Sequence, residues 1–495
     1  MSQRSEPSSG TADLARRLRE VLLAADFTFD TVAEVLGVQA HAALGRNETT
    51  PGRRRTAGGT PIETLIRLFL LQLPVPVAHA ERALPGLVDE LAVHGFLQHS
   101  ISEVGARLDV RPYATDDDHF WVVSDLTPGL DGAPQRVLPD HVLGISPAST
   151  QLAQLTLREP MGSALDLGTG CGVQALHLAR HCGRVVATDV NRKALDLTRF
   201  NAALNGVEVD VRDGSFFEPV HGEQFDLIAT NPPFVISPGT GDRLVYRDSG
   251  LPGDRVVEDI VRAAPTYLAE GGWCQVLANW IIHRDLTWEE RIADWLPDQT
   301  DALVVQRETL DPAAYVELWL KDAGQHGGRD YAHRYDTWLS WMDFMGIEGI
   351  GFGWINLRKR SLGAGDTAIR HGLIDWPYQI EQPVAPTIKD WGDAVTVTVS
   401  EDLVLTRQPD VMQETLGAPG APEPHSIILR RQRGLRRARQ VDTVEAAFVG
   451  ACEGDLTVGQ LLDAIAHLLE MDADQVRSTY LPKVAELVRE GYLAA

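Results

Sequence analysis

Asn231-Pro232-Pro233-Phe234 places an amide, two rigid backbone units and an aromatic ring directly after the apolar run Phe225-Asp226-Leu227-Ile228-Ala229-Thr230. Two consecutive prolines fix the chain where a strand would otherwise continue, and so orient the groups before them. Planar nitrogens are poor nucleophiles because their lone pair is delocalised. If the Asn231 side-chain oxygen and the Pro232 carbonyl accept two N–H bonds, that lone pair can be aimed at an electrophile. Phe234 can stack on the acceptor plane and favour the positive charge that develops on nitrogen. No general base is needed, since the proton can leave after transfer. The competing reading is a rigid turn at a strand end.

A second chemical unit lies upstream. Asp166-Leu167-Gly168-Thr169-Gly170-Cys171-Gly172 follows the strand residues Ala164 and Leu165 and precedes a helix with apolar positions Val173, Leu176 and Ala179. The glycines let the backbone turn sharply and bring a ligand against bare peptide groups. The spacing is GxGxG, with Val173 where the dinucleotide fingerprint needs its third glycine, and Asp166 stands two residues before the first glycine. That acid repels a pyrophosphate and attracts a ligand with a positive amino group. S-adenosylmethionine has both an ammonium and a sulfonium centre. Asp189 ends the next strand, Arg184–Asp189, about 20 residues on, the position from which an acid reaches a ribose diol. A third acid, in Arg212-Asp213-Gly214-Ser215, follows Val207–Val211 and can accept from an adenine amine. Three acids at successive strand ends make Asp166, Gly168, Thr169, Gly170, Asp189, Asp213 and Gly214 the expected cofactor contacts.

The rest of the composition narrows the class. Cys171, Cys182, Cys274 and Cys452 lie far apart with no CxxC, which argues against a zinc site and a disulfide framework, and no metal is expected. Asp116-Asp117-Asp118 reads as a solvated turn. A net charge of −24 opposes long-range attraction to nucleic acid. Two local patches run against it, Arg53-Arg54-Arg55 and the six arginines from Arg430 to Arg439, which have no acid between them. With 44% hydrophobic and 23% charged residues, no run long enough to span a bilayer and no apolar segment at the N-terminus, the expected setting is the cytoplasm.

The elements that must position these groups read as follows. Residues 1–11 form a disordered tail and 12–100 a helical domain, with Ile62, Leu65, Ile66, Leu68 and Phe69 at helix spacing before Pro74 and Pro76. Residues 101–160 hold a β-hairpin (Ala106–Tyr113 with Phe120–Leu126) and a linker. Residues 161–360 alternate short β-branched runs with amphipathic helices, the pattern of a parallel α/β sheet. Residues 361–425 read as a β-rich extension with strands at Ala394–Val399 and Leu403–Thr406 and a Gly/Pro-rich loop from Gly417 to Pro424. Residues 426–495 end in helices. Leu87–Leu97 and Val484–Leu493 share a helix, glycine, aromatic and leucine ending, as in winged-helix modules.

From Ala164 to Phe234, and more weakly through Leu268-Ala269-Glu270-Gly271-Gly272, the chain resembles the class I N-methyltransferases with an (N/D)PP(Y/F) motif. That family includes release-factor glutamine, ribosomal RNA guanine and adenine-N6 DNA enzymes. The resemblance covers about 200 of the 495 residues. It implies a Rossmann-like seven-stranded core, the methionine end of S-adenosylmethionine near Asp166, Gly168 and Gly170, ribose at Asp189, adenine near Asp213, and the target nitrogen at Asn231, with Pro232 and Phe234 in the catalytic motif. Ser149, in Ser146-Pro147-Ala148-Ser149-Thr150, lies where related enzymes cover the cofactor. Glutamine enzymes usually carry tyrosine where this chain has Phe234. The chain also has a helical insertion, Asp311–Gly349, with Trp319, Trp338 and Trp341 before a last strand at Gly351–Leu357. The whole layout resembles an actinobacterial-type group with extra terminal domains. Tyr246-Arg247-Asp248-Ser249-Gly250-Leu251-Pro252-Gly253-Asp254 is either a substrate lid or a surface loop. The expected activity is methylation of an amide or amine nitrogen of a protein. The alternatives are a base in ribosomal or transfer RNA, met through the Arg430–Arg439 patch, and a non-catalytic cofactor-binding adaptor.

Overall fold

A computed structural model describes residues 9–115, 118–133, 137–138, 140–239, 251–322, 328–361, 370–419 and 424–495. Part of the acidic triplet (116–117), the first residues of the loop 246–254, part of the Gly/Pro-rich loop 417–424 and most of the N-terminal tail lie outside the described residues. The chain divides into two compact units, 1–153 with 158–297 and 308–353, and 154–157 with 298–307 and 354–495.

The first unit holds the alternating β and α runs. Its strands are β1 (Met161–Leu167), β2 (Cys182–Asp189), β3 (Asp210–Asp213), β4 (Phe225–Thr230) and β5 (Leu268–His283), interleaved with helices α1 (Val173–Leu178), α2 (Arg192–Asn205) and α3 (Arg255–Tyr267). All four pairings are parallel, in the order β5-β4-β1-β2-β3, within a sheet of eight strands rather than the seven expected. Parallel strands covered on both faces read as continuous apolar runs, and Leu227, Ile228 and Ala229 are fully buried. The order reverses between β1 and β4, where open α/β sheets bind ligands beyond the carboxyl ends. Register fixes what meets there. Leu167 pairs with Thr230 on one side and Thr188 on the other, and Asp189 pairs with Asp213. The glycine loop, Asn231 and the acids of β2 and β3 therefore leave the sheet along one edge. At Leu268-Ala269-Glu270-Gly271-Gly272 the register of β5 against β4 shifts, between Leu268 and Trp273.

The N-terminal residues share a core with this sheet's helices. Leu14, Leu18, Leu68, Phe69, Leu91 and Phe96 belong to one apolar cluster with Leu176, Leu197, Phe200 and Leu204. The expected hairpin forms from Leu108–Ala114 and His119–Asp125, antiparallel with Ala114 opposite His119. The outer edge of the second strand is completed by two side chains of α2. Asn201 accepts from Val123 N–H (2.8 Å) and donates to the Val123 carbonyl (2.8 Å), and Asn205 does the same for Trp121 at 2.9 and 2.8 Å. One turn apart on α2, the two amides imitate a neighbouring strand. Asn201 also donates to the Cys171 carbonyl inside the glycine loop (2.7 Å).

The second unit holds helices, two three-stranded sheets and a parallel strand pair. Residues 302–306 of the strand Thr300–Leu310 pair in parallel with 371–375. Val411–Leu416, Ser426–Arg431 and Ala438–Val441 form an antiparallel sheet, and Val404–Arg407 lies between Glu453–Thr457 and Leu493–Ala494. The strand expected at Ala394–Val399 does not form. The helix Ala385–Ala394 runs into it and closes with turns, Val395 N–H to Trp391 O and Val397 N–H to Ala394 O. The alternation of those residues is real, since Val395, Val397 and Val399 face inward between exposed threonines, but they make no strand ladder. The shared endings of Leu87–Leu97 and Val484–Leu493 also form. Gly95 and Gly491 take φ of +79° and +80°, while Phe96 N–H reaches Leu91 O and Tyr492 N–H reaches Leu487 O, the 6→1 bond of a Schellman cap.

The arginine stretch is not a free basic patch. Acids outside the stretch take up Arg430 (Glu414, 2.7 Å), Arg431 (Asp410, 2.9 Å) and Arg439 (Glu445, 3.1 Å; Glu486, 2.9 Å; Glu490, 3.1 Å). Burial lowers the pKa of Arg437. Arg433 and Arg436 are exposed.

Asn201→Ala should cost about 2–4 kcal/mol of stability, because it leaves the buried Val123 N–H and two buried carbonyls without their partner. Urea denaturation measures it, and a loss below about 0.5 kcal/mol would show that water or relaxation replaces those bonds.

Candidate active site

The glycine loop turns through left-handed backbone, with φ of +77° at Gly168 and +57° at Gly170. An added Cβ at either position meets no protein atom within 4 Å. Among the described residues, backbone conformation rather than crowding demands glycine there. Two amides anchor the turn, Gly168 and Thr169 N–H both donating to the Thr188 carbonyl at 2.9 Å.

Asp166 is buried beneath this turn. Its Oδ2 accepts from the Thr169 hydroxyl (2.6 Å) and from Ala175 N–H (3.0 Å). Burial outweighs both bonds and pushes its pKa up to about 7, with the charge of Asp189 adding to the rise. Asp189 accepts from Gly170 N–H through Oδ2 (2.9 Å) and from Asn191 N–H through Oδ1 (2.8 Å). Burial raises its pKa as well, and Asp213 contributes. Asp213 is the exposed member, 3.6 Å from the Arg192 guanidinium. Gly214 N–H donates to the Asp189 carbonyl (3.1 Å), and a Cβ on Gly214 would stand 2.5 Å from Pro219. The three predicted acids are thus brought together along one sheet edge. Ser149 starts a helix, Pro147–Leu155, and its hydroxyl is engaged within that turn, accepting from Ser146 N–H (2.8 Å) and donating to Ser146 O (2.9 Å). Its carbonyl accepts from Gln174 Nε2 on α1 (2.7 Å), which ties this segment to the glycine loop. Gln174 has no motif to announce it; only its place one residue into that helix points to it.

Asn231 follows β4 directly. Its Oδ1 is buried and has no hydrogen-bond partner among the described residues. A buried amide oxygen left without a donor costs about 1–3 kcal/mol, so an oxygen held in that state is available to a ligand N–H. Pro232 is buried and Phe234 half-buried. Helices α4 (Pro312–Asp322) and α5 (Tyr331–Phe344) of the insertion pack beside them, with Tyr315, Trp319, Trp338 and Met342 in one cluster with Val235 and Ile236. Phe234 and Trp319 meet edge to face, ring centroids 6.3 Å apart. Sequence reasoning noted the tryptophans but missed Tyr315, which sits one helical turn before Trp319.

Beyond the motif, Gly253 N–H donates to Ser237 O (3.2 Å). Asp254 is buried, pairs with both Arg291 nitrogens (2.6 and 2.7 Å) and accepts from Ile281 N–H (2.8 Å). The four cysteines are buried free thiols, each pushed up to about 12 by burial. Among the described residues no group of three or more His, Cys, Asp or Glu could hold a metal ion, and no helix is long and apolar enough to cross a membrane.

The parallel sheet, with a glycine loop at its switch point, acids at three successive strand ends and an asparagine-proline-proline turn on the fourth, lies in a stretch that is similar to known methyltransferases. Residues 144–293 match the family model described as methyltransferase small domain. Residues 24–107 and 390–495 match two models described only as domains of unknown function. The chain is similar to the release factor glutamine methyltransferase of Xylella fastidiosa, 37% identical over 128 residues, 23% of this chain and 46% of that protein. It is also similar to the ribosomal RNA small subunit methyltransferase C of Alcanivorax borkumensis, 30% identical over 148 residues, 30% of this chain and 39% of that protein. The chain therefore spans less than half the length of these relatives. Among solved structures, a T. thermophilus 16S rRNA methyltransferase in complex with AdoMet and guanosine aligns at 17% identity and TM-score 0.28, covering 52% of this chain and 68% of that one. A methyltransferase from Pyrococcus furiosus aligns at 16% and 0.27, covering 44% and 84%. The assignment of the domain rests on the family model and the sequence relatives.

The raised pKa of Asp166 has a stability consequence. The folded state holds its proton up to about pH 7 while the unfolded chain releases it near 4. Its contribution is complete below the unfolded value and is lost as pH rises through 7. Denaturation of the ligand-free protein should therefore show Asp166→Asn losing less stability than the parent between about pH 4 and 7. Parallel curves would show that Asp166 titrates normally.

Proposed function

We propose that the chain is an S-adenosylmethionine-dependent N-methyltransferase acting on a planar amide or amine nitrogen, with a protein as the favoured acceptor. The observation that carries this reading is the buried Oδ1 of Asn231, which has no hydrogen-bond partner among the described residues, together with a glycine loop where a Cβ would meet no described atom and whose acids repel one another. Such an edge suits a ligand with a positive end. In this reading Asp166, Gly168, Thr169 and Gly170 hold the methionine end, Asp189 the ribose, and Asp213 with Gly214 the adenine. Ser149 contributes through the carbonyl that holds Gln174. When bound, S-adenosylmethionine supplies an electrophilic methyl group on a sulfonium.

The protein's own residues do the rest. Asn231 Oδ1 and the Pro232 carbonyl accept the two hydrogens of the acceptor nitrogen, which turns its lone pair out of conjugation and towards the electrophile. Pro232 and Pro233 keep these two oxygens from moving apart. Phe234 stacks on the acceptor plane and favours the positive charge as it forms. Asp166 gains charge stabilisation from an ammonium group, so cofactor affinity should strengthen as pH rises through about 7.

A protein acceptor is favoured because the long arginine stretch already spends Arg430, Arg431 and Arg439 on internal acids. A base in ribosomal or transfer RNA is the second reading, supported by relatives named for ribosomal RNA and by the exposure of Arg433 and Arg436. Incubation with radiolabelled cofactor and a lysate of a deletion strain, followed by fractionation, separates the two. Label in protein is expected. Label in RNA, with binding that weakens steeply with salt and is lost on Arg433→Ala with Arg436→Ala, would replace the first reading by the second.

Asn231→Ala should leave cofactor affinity nearly unchanged and lower methyl transfer by about a hundredfold, the effect of removing one transition-state hydrogen-bonding group. Wild-type transfer in that variant would sink the mechanism. Asp189→Ala should weaken cofactor binding, and calorimetry that finds the affinity unchanged would reject its ribose role.

A further inference from the structure

We infer that Tyr315 and Trp319, one turn apart on α4, are positioning residues that hold the Asn231–Phe234 turn in its acceptor-binding geometry. This rests on the reading of that turn as the acceptor site.

The prolines fix the torsions at 232 and 233, but they do not fix where the turn sits. Beyond β4 the chain carries only an isolated bridge at Phe234, so a support from outside the sheet is required. The insertion provides it at two points. Ile236 N–H donates to the Tyr315 hydroxyl at 2.8 Å, and both residues are fully buried. Trp319 meets the ring of Phe234 edge to face. Residues four apart on a helix share a face, so one side of α4 grips both the backbone and the ring of the same short segment.

The Tyr315 hydroxyl is also in reach of the side chains of Asn279, on β5, and of Trp319. Burial raises its pKa well above the usual phenol range, so it stays a neutral hydroxyl at working pH. One buried oxygen thus ties the turn to the helix. Phe234 is half-buried whereas Trp319 is almost wholly covered. Phe234 is therefore the ring that can meet an acceptor, and Trp319 acts through it. Val235 and Ile236 fill the space between, packed with Trp338 and Met342, so displacement of α4 moves the turn. Small displacements at a reacting centre are costly to rate even when binding persists.

The decisive variant is Tyr315→Phe, which keeps the ring and its packing and removes only the oxygen that holds Ile236. With the full chain, cofactor titration should give one site per chain and an affinity within about twofold of the parent. Single-turnover transfer from labelled cofactor to the lysate fraction that the parent labels should fall about tenfold per bound cofactor, the size of one lost hydrogen bond. In a dilution series of that lysate the loss should appear in kcat more than in KM. Trp319→Ala should fall similarly, and Trp319→Phe, which can restore an edge contact, should recover most of the rate. Hydrogen exchange gives a readout that needs no acceptor, and residues 231–239 should exchange faster in Tyr315→Phe. Parent-like rates per bound cofactor, or parent-like protection of 231–239, would overturn the inference. So would a fall explained wholly by lost cofactor occupancy, which would make Tyr315 a stability residue. Asn231→Ala run alongside keeps the two ideas apart. If it transfers normally, the acceptor assignment fails; if it is inactive while Tyr315→Phe is normal, only the positioning role fails.

Discussion

The pairing of Leu167 with Thr230 is the constraint on which the site depends. These are the last residues of β1 and β4, and the Thr230 hydroxyl donates to the Leu167 carbonyl at 2.7 Å, locking the two ends level. A slip of one residue in a strand sends every side chain to the opposite face. Here it would also part Asp166 from its loop and turn Asn231 away from it. Thr188 extends the same alignment, pairing with Leu167 and accepting from two amides of the glycine loop. The sheet's first task is therefore to bring three chain exits to one line.

Electrostatics on that line is unfavourable to the protein by itself. Asp189 raises the pKa of Asp166, and Asp213 raises that of Asp189, in each case on top of burial. Backbone donors from Ala175, Gly170 and Asn191 offset part of this. A fold that only needed a stable turn would gain by replacing buried acids with apolar residues of similar size. Their presence in a row, with an orphaned amide oxygen one strand away, is strain of the kind that sites carry and cores do not.

What the sequence made legible was local. The glycine loop, the acids at strand ends and the proline pair are short-range patterns, and the alternating βα runs set the parallel sheet. The helix-glycine-aromatic endings were equally visible because a Schellman cap is written in consecutive residues. Long-range partners were not. Asn201 reaches Val123 and Tyr315 reaches Ile236 across gaps of 78 and 79 residues, with no spacing rule to announce either. The same blindness made Arg430–Arg439 look like a free basic patch, since its acids at 410, 414, 486 and 490 arrive only on folding. At Ala394–Val399 the pattern was correct and the element was not. Alternation reports which side chains face a core, and a strand needs a neighbour as well.

These long-range contacts share a direction. Asn201 and Asn205 turn α2 outward to the N-terminal hairpin, while the Asn201 amide also holds a carbonyl of the glycine loop. Tyr315 and Trp319 turn the insertion inward to the Asn231–Ile236 segment. Both the glycine loop and the Asn231 turn are thus backed by chain that lies outside the alternating core, upstream for the first and downstream for the second. A parallel sheet aligns chain exits but exerts little control over loops once they leave it. Added segments that grip those loops from behind supply that control, which gives the insertion a physical role beyond enlarging the fold.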